Sequence, residues 1–308
     1  SPRHIKMLII GSGPAGLSAA LYGARANLEP VVLTGMDLGG QVSKTHAVEN
    51  YPGFPEGISG EGLVNAFHKH AERFGAEMIF DIATEVDFSE RPYKVKTYGE
   101  SFTADTIIIS TGAAAVTLNI PGEEEMVGRG VSYCATCDGH FFKDMDVVVV
   151  GGGDSALEEA LYLTRHASKV TIVHRRDELR AGSILEERAK QNDKINFVWD
   201  TIVTDVPIGE KVESVKTKNV LTGEEGEIKT DGLFIFIGHT PNTELFANQL
   251  AVDDRGYLKV DSWMQTDLEG VYAAGEVADP HFRQVITSAG MGAAAAIQAT
   301  RYLEEKGL

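Results

Sequence analysis

The chain has 308 residues, 43% hydrophobic and 24% charged, the balance of a folded globular protein with room for one large or two medium cores. Its 28 basic and 45 acidic residues leave a net charge of −17, which argues against nucleic acid or an anionic membrane as the main partner. No apolar run approaches the roughly 18 residues of a membrane-spanning helix, and two cysteines are too few for a disulfide scaffold, so a cytoplasmic protein is expected.

From the N-terminus, "SPRHIKMLII" enters a strand almost at once, without a signal-peptide pattern. The apolar run Met7–Ile10 leads into "GSGPAG" and a helical "LSAALYGARA", with a second strand predicted at Pro30–Leu33. Strand, glycine turn and helix in this order make a G-x-G-x-x-G phosphate loop. Gly11 turns the chain, Gly13 lets a pyrophosphate approach, and Gly16 lets helix pack on strand. The amides that open the helix then face the phosphates. After the second strand, "LTGMDLGGQV" has neither the acid of an NAD site nor the cations of an NADP site, which leaves FAD as the expected occupant. "DTIIISTGA" predicts another buried strand, ending at Thr111-Gly112.

Both cysteines of the chain, Cys134 and Cys137, follow in "SYCATCDGHFF". Such a pair is half a zinc site, a structural disulfide or a redox dithiol. Next, "DVVVV" (Asp146–Val150), "GGGDSA", a helical "LEEALYLTRHA" and a strand "KVTIVH" repeat the dinucleotide unit, with Gly151, Gly153 and Ala156 at its three special positions. The second strand of this unit ends in "HRRDELR", placing Arg175, Arg176 and Arg180 roughly 20 residues past the loop, where the ribose lies. A solvated basic helix start is the plainer reading of such a run. Its position favours guanidiniums forked onto a 2′-phosphate, hence NADPH rather than NADH. Further on, "TDLEGVYAAGEVAD" predicts a strand closed by Gly275-Glu276, and "FRQVITSAGMGAAAAIQATRYL" a helix of small residues suited to close packing.

FAD signatures thus bracket NADPH signatures. The expected fold is α/β, two nested Rossmann-like (FAD/NAD(P)-binding) domains of the three-layer β/β/α type. Residues 1–113 and 243–308 form the discontinuous FAD domain, and 114–242 the NADPH domain with the dithiol. The crossings are expected near "GAAAVTLNIPG" and "GHTPNTE", both Gly/Pro-containing and suited to hinges.

The motifs "GSGPAGLSAALYGARANLEPVVLTG", "GGQV", "VENYPGFP", "CATCDG", "GGGDSALEEALYLTR", "HRRDELRA", "GLFIFIGHTPNT" and "RQVITSAGMG" resemble, nearly end to end, the low-molecular-weight, bacterial-type thioredoxin reductases, which are flavin disulfide reductases. The resemblance implies FAD held by Gly11, Ser12, Gly13, Pro14, Ala15, Gly16, Thr34, Gly35, Gly39, Gly40, Gln41, Asn50, Thr111, Gly112, Gly275, Glu276, Arg283, Gln284 and Val285. It implies NADPH held by Gly151, Gly153, Asp154, Ser155, Ala156, His174, Arg175, Arg176, Arg180 and Gly238. It also implies Cys137 as the flavin-facing thiol, Cys134 as the thiol that attacks the substrate, and Asp138 as the general acid/base. Thioredoxin is the implied protein substrate and a homodimer the implied assembly.

Beside that resemblance, the redox dithiol is the reading of "CATC" that uses every signature in the chain. A zinc site would need further ligands and there is no third cysteine; a static bridge across so short a loop adds little stability. No metal is expected. Alternative substrates are other thioredoxin-fold carriers, glutaredoxin-like or peroxidase-linked; a flavin-dependent dithiol oxidase would not require "HRRDELR". The dithiol and the nicotinamide share one domain, yet both must reach one flavin while Cys134 meets a bulky protein, so a domain rotation about the two hinges is expected. Three positions depart from the family pattern: Glu276 stands where Asp is usual, His140 precedes Phe141 and Phe142, and the last helix lacks a frequent cysteine. Phe141 and Phe142, with Arg129, are either docking residues for the partner or, for the two aromatics, core.

Overall fold

In the computed structural model, which describes residues 2–45 and 47–308, the first strand β1 (Arg3–Ile10) buries Met7–Ile10 completely or nearly so. A continuous apolar run of this kind suits a parallel strand covered on both faces. Helix α1 (Pro14–Arg25) starts with Pro14 in its first turn, where no amide is lost. β2 (Val31–Leu33), α2 (Gly60–Arg73), β3 (Glu77–Ile79), β4 (Ala83–Asp87), β5 (Tyr93–Thr97), β6 (Ser101–Ile109) and β7 (Ala113–Ala115) follow. The Ser59 hydroxyl caps α2 by accepting the Gly62 amide at 3.0 Å.

The elements of the inserted segment are β8 (Val131–Ser132), α3 (Ala135–Asp138), β9 (Asp146–Val150), α4 (Asp154–Leu163), β10 (Lys169–Val173), α5 (Ser183–Lys190), β11 (Ile195–Val198), β12 (Thr201–Asp205), β13 (Ser214–Asn219), β14 (Glu225–Lys229) and β15 (Gly232–Ile235). β16 (His239–Pro241), β17 (Val271–Ala273) and α6 (Val285–Lys306) complete the chain. It divides into two units, Ser1–Ala114 with Thr240–Leu308, and Ala115–His239; β7 and β16, at the two crossings, pair with each other.

The first unit is three-layered. Strands β3, β2, β1, β6 and β17 are parallel neighbours, and β6 also continues into the antiparallel β5 and β4. One core cluster joins the parallel sheet to residues of this meander, including Phe88, Tyr93 and Phe102; another joins it to alanines of α1 and α6. The second unit repeats the plan, with a parallel sheet in the order β11-β10-β9-β15-β8 and an antiparallel sheet β12-β13-β14. Its helical face centres on Leu157, Leu163 and Phe234, its other face on Val148, Val203 and Leu233. The doubled glycine loops of the sequence are thus two copies of one architecture, a three-layer α/β arrangement. The predicted strand around "GVYAAGE" shortens to three residues, and "HRRDELR" is irregular chain: α5 begins only at Ser183.

Candidate active site and nucleotide cradles

In the first unit every expected FAD residue but Asn50 follows a parallel strand or opens a helix. Gly11–Gly13 follow β1, Thr34 and Gly35 follow β2, Thr111 and Gly112 follow β6, and Gly275 and Glu276 follow β17. This is the carboxyl edge of the sheet, where open α/β folds bind ligands. Ser12 stitches the loops together: its hydroxyl donates to the Thr34 carbonyl at 2.9 Å and accepts the Gly39 amide at 3.2 Å. Gly40 and Gln41 lie in the 3-10 turn that follows, and a Cβ on Gly40 would come within 3.6 Å of Gly13 Cα. Arg283 and Gln284 precede Val285, the first residue of α6, and Asn50 donates to the Gln284 amide oxygen at 3.2 Å.

The glycines of the first loop have different jobs. A Cβ on Gly11 would sit 2.3 Å from the Ser110 carbonyl oxygen, and one on Gly16 2.0 Å from the Gly11 oxygen, so both are required by protein packing. A Cβ on Gly13 would meet no protein atom. What that glycine spares is room beside the helix start for something other than protein, which fits a pyrophosphate.

Glu276 is largely buried, and burial, with Asp279 adding to it and Arg283 opposing it, pushes its carboxyl up to about 7. Asp279 was not singled out from the sequence. Its buried carboxylate accepts the amides of His281, Phe282 and Arg283 at 2.9, 3.0 and 3.0 Å, fixing the turn in which Arg283 takes a positive φ of 52°. Asn242 was missed too: it pairs with Thr111 both ways, at 2.7 and 2.8 Å.

In the second unit Gly151 and Gly153 follow β9, and Asp154, Ser155 and Ala156 open α4. The basic run is tied to this loop. The Arg180 and Ala181 amides donate to the Gly152 carbonyl at 2.7 and 3.1 Å, and the Gly182 amide to Asp154 Oδ1 at 2.7 Å. Arg175, Arg176 and Arg180 are exposed, and among the described residues none has a carboxylate within ion-pair distance. Three unpaired guanidiniums held beside an open glycine loop, in an acidic chain, fit a phosphate-bearing dinucleotide. A Cβ on Gly153, as on Gly13, would meet no protein atom. His174 lies differently: it is buried, its ring lies against Gly152, its Nε2 has no hydrogen-bond partner among the described residues, and burial followed by the three arginines holds its pKa down. Gly238, past β15, adopts a φ of 122° and accepts the Val116 amide at 2.9 Å.

The same unit holds the sulfur chemistry. Cys134 and Cys137 form a disulfide with Cα atoms 5.3 Å apart, both half-buried. Cys134 caps α3, its Sγ accepting the Cys137 amide at 3.2 Å. Burial raises the Asp138 carboxyl above its ordinary value, while a hydrogen bond from Ser132 and the charge of His140 pull it back. Ser132 Oγ donates to Asp138 Oδ2 at 2.6 Å and accepts the Cys134 amide at 3.1 Å, so one hydroxyl links the acid to a cysteine.

Two carboxylates that carry no sequence signal also hold this stretch. Glu159 of α4 accepts the Ala135 amide at 2.8 Å. Buried Glu123 accepts the Tyr133 hydroxyl at 2.8 Å and the Leu118 amide at 3.0 Å; burial, then Glu123, raises the Tyr133 phenol well above its ordinary range. The two phenylalanines part company. Phe142 is core, edge-on to Phe234 with centroids 5.0 Å apart, whereas Phe141 is 43% exposed.

Residues 5–293 match the family model described as pyridine nucleotide-disulphide oxidoreductase. The thioredoxin reductase of Rickettsia felis is 51% identical over 305 residues, covering 97% of this chain and 98% of that one. The chain belongs to the thioredoxin reductases. Among solved members, the thioredoxin reductase of Streptococcus pyogenes is 44% identical and superimposes with a TM-score of 0.94, covering 99% of this chain and 100% of that one. The thioredoxin reductase of Lactococcus lactis in its FR conformation, 43% identical, covers 98% of this chain and 99% of that one with a TM-score of 0.66.

Proposed function

We propose that this thioredoxin reductase family member reduces the disulfide of a thioredoxin with electrons from NADPH, by way of FAD and the Cys134–Cys137 pair. The observation that carries the reading is the disulfide itself. It lies in the same unit as an open glycine loop with three exposed arginines, and its neighbour is a half-buried acid. Bound NADPH supplies, and bound FAD relays, a pair of electrons.

The protein's own groups do the rest. Asp138, its carboxyl raised by burial, binds a proton more tightly than an exposed aspartate and delivers it to a cysteine sulfur when the bond opens. The Cys137 amide, already directed at Cys134 Sγ, stabilises negative charge on the sulfur that attacks the substrate. Gly11–Gly16, Thr34, Gly35, Gly39–Gln41, Asn50, Thr111, Gly112, Gly275, Glu276 and Arg283–Val285 are the proposed FAD cradle. Gly151, Gly153, Asp154–Ala156, His174, Arg175, Arg176, Arg180 and Gly238 are the proposed NADPH cradle, His174 as a buried buttress of the loop.

Rotation of the NADPH-binding unit is part of the proposal. Two relatives of nearly equal identity superimpose on this chain very differently, the poorer match being in a named FR conformation. Exposed Phe141 is the proposed docking residue for thioredoxin, while Phe142 serves the core. A homodimer in the cytoplasm is proposed on the family resemblance and on the two-cysteine composition.

The test is anaerobic. NADPH should bleach the FAD-loaded wild type, and added thioredoxin should restore the colour with release of thioredoxin thiols. C134S and C137S should each bleach but release none. Thiol release by either variant at the wild-type rate would sink the assignment.

A further inference from the structure

We propose that Glu159 is a positioning residue for the dithiol: it holds the amide between the two cysteines and raises the proton affinity of Cys134, so keeping the couple reducing. This rests on the redox reading of Cys134 and Cys137 and adds to it a residue that the motifs do not mark.

Helix α3 starts at Ala135 with Cys134 as its cap, so its first amides have no partner inside the helix. One of them, on Cys137, points at Cys134 Sγ at 3.2 Å. Another, on Ala135, is taken by Glu159 Oε2 at 2.8 Å. Both consequences act in one direction. A donor next to Cys134 is engaged elsewhere, and a carboxylate stands one residue from the sulfur that must become a thiolate. A like charge at close range disfavours a second negative charge.

Glu159 belongs to α4, the helix that the second glycine loop opens, and α3 packs on it. The carboxylate is therefore delivered by a rigid element rather than by a loop. The other ionisable groups around the segment, among the described residues, are Asp138 and His140 on its own turn, Tyr133 with Glu123 at its start, and Tyr162 of α4 with His166 just past that helix beside Gly139.

Opening the Cys134–Cys137 bond with glutathione consumes two molecules of the thiol. It yields two protein thiols and one glutathione disulfide; where Cys134 remains a thiolate, one proton is released to solvent. Favouring the thiolate therefore stabilises the reduced side of the couple.

Three variants, E159Q, E159A and E159D, separate charge from bond. In a C137S background of the FAD-loaded protein, the pH dependence of Cys134 alkylation by iodoacetamide reports its proton affinity. In the two-cysteine protein, equilibration with glutathione buffers reports the couple. E159Q and E159A are expected to lower the apparent pKa of Cys134 by about one unit. In buffers at a pH above the Cys134 pKa of both proteins they should shift the equilibrium toward the dithiol by up to about tenfold, equivalent to about 30 mV, and the shift should fade below that pKa. E159D should stay near wild type. An E159Q protein with the wild-type alkylation profile and potential overturns the proposal, whether or not E159A differs, because the charge would then have no effect. Should E159A fail to retain flavin or fold, E159Q against E159D decides alone. A wild-type disulfide that does not exchange with glutathione at all removes the redox reading itself, which is a different failure from an unaltered variant.

Discussion

Ser132 shows how much one hydroxyl does at the scale of a residue. It takes the Cys134 amide and gives its own proton to Asp138, so the acid's proton affinity depends on a bond two residues before the first cysteine. S132A deletes the contribution that holds the Asp138 carboxyl down, and burial then acts unopposed by it. The limb of the pH–rate profile of thioredoxin reduction that reports Asp138 should move to higher pH. S132T should restore it; an unmoved limb in S132A would disconnect the hydroxyl from the acid.

Glu276 gives a second prediction at this scale. Its carboxyl is at about 7 when folded, against 4.5 for the ordinary group. The folded state thus binds this proton more tightly than the unfolded chain. Stability associated with Glu276 is complete at low pH and is lost as pH rises between those two values. E276Q never ionises, so its advantage over wild type in cofactor-free protein should grow from pH 5 to pH 8, reaching on the order of 3 kcal/mol. Urea titrations at both pH values measure this, and a constant difference contradicts it.

The crossing of α1 and α6 decides how close the element carrying Arg283–Val285 comes to the first glycine loop. A Cβ on Gly292 would lie 2.0 Å from the Ala15 carbonyl oxygen, and one on Gly275 2.8 Å from Ala15 Cβ. G292A must push α6 off α1, which should cost about 1–3 kcal/mol and weaken FAD retention; denaturant midpoints and flavin stoichiometry after gel filtration check both. In the second unit the tether from Gly152 and Asp154 to residues 180–182 turns an irregular basic stretch into part of the loop. Charge-assisted hydrogen bonds contribute about 1.5–3 kcal/mol each. R175A/R176A should therefore weaken NADPH by on the order of a hundredfold and leave NADH little changed, a contrast that KM values for the two nucleotides reveal. Equal losses would place the arginines elsewhere than at a 2′-phosphate.

At the scale of the molecule, the chain crosses between its two units twice, through β7 and β16. A crosslink that fixes the units in one orientation should abolish steady-state thioredoxin reduction while leaving one half-reaction intact, either flavin bleaching by NADPH or reoxidation through the disulfide. Unchanged turnover in the fully crosslinked protein would exclude a required rotation.

Much of this was legible in the linear chain because the groups involved are neighbours in it. The glycine loops need steric freedom at fixed spacings, the parallel strands need unbroken apolar runs, and a dithiol needs two cysteines within a turn of each other, so local sequence determined the two nested nucleotide folds and the position of the redox pair. What stands around that pair was decided only by tertiary structure. Glu159 reaches Ala135 from 24 residues away, Asn50 reaches Gln284 from 234 away, and Phe141 and Phe142 point to solvent and core respectively. A carboxylate or amide has no spacing rule of its own; its role is set by which donor the folded backbone leaves unpaired within its reach.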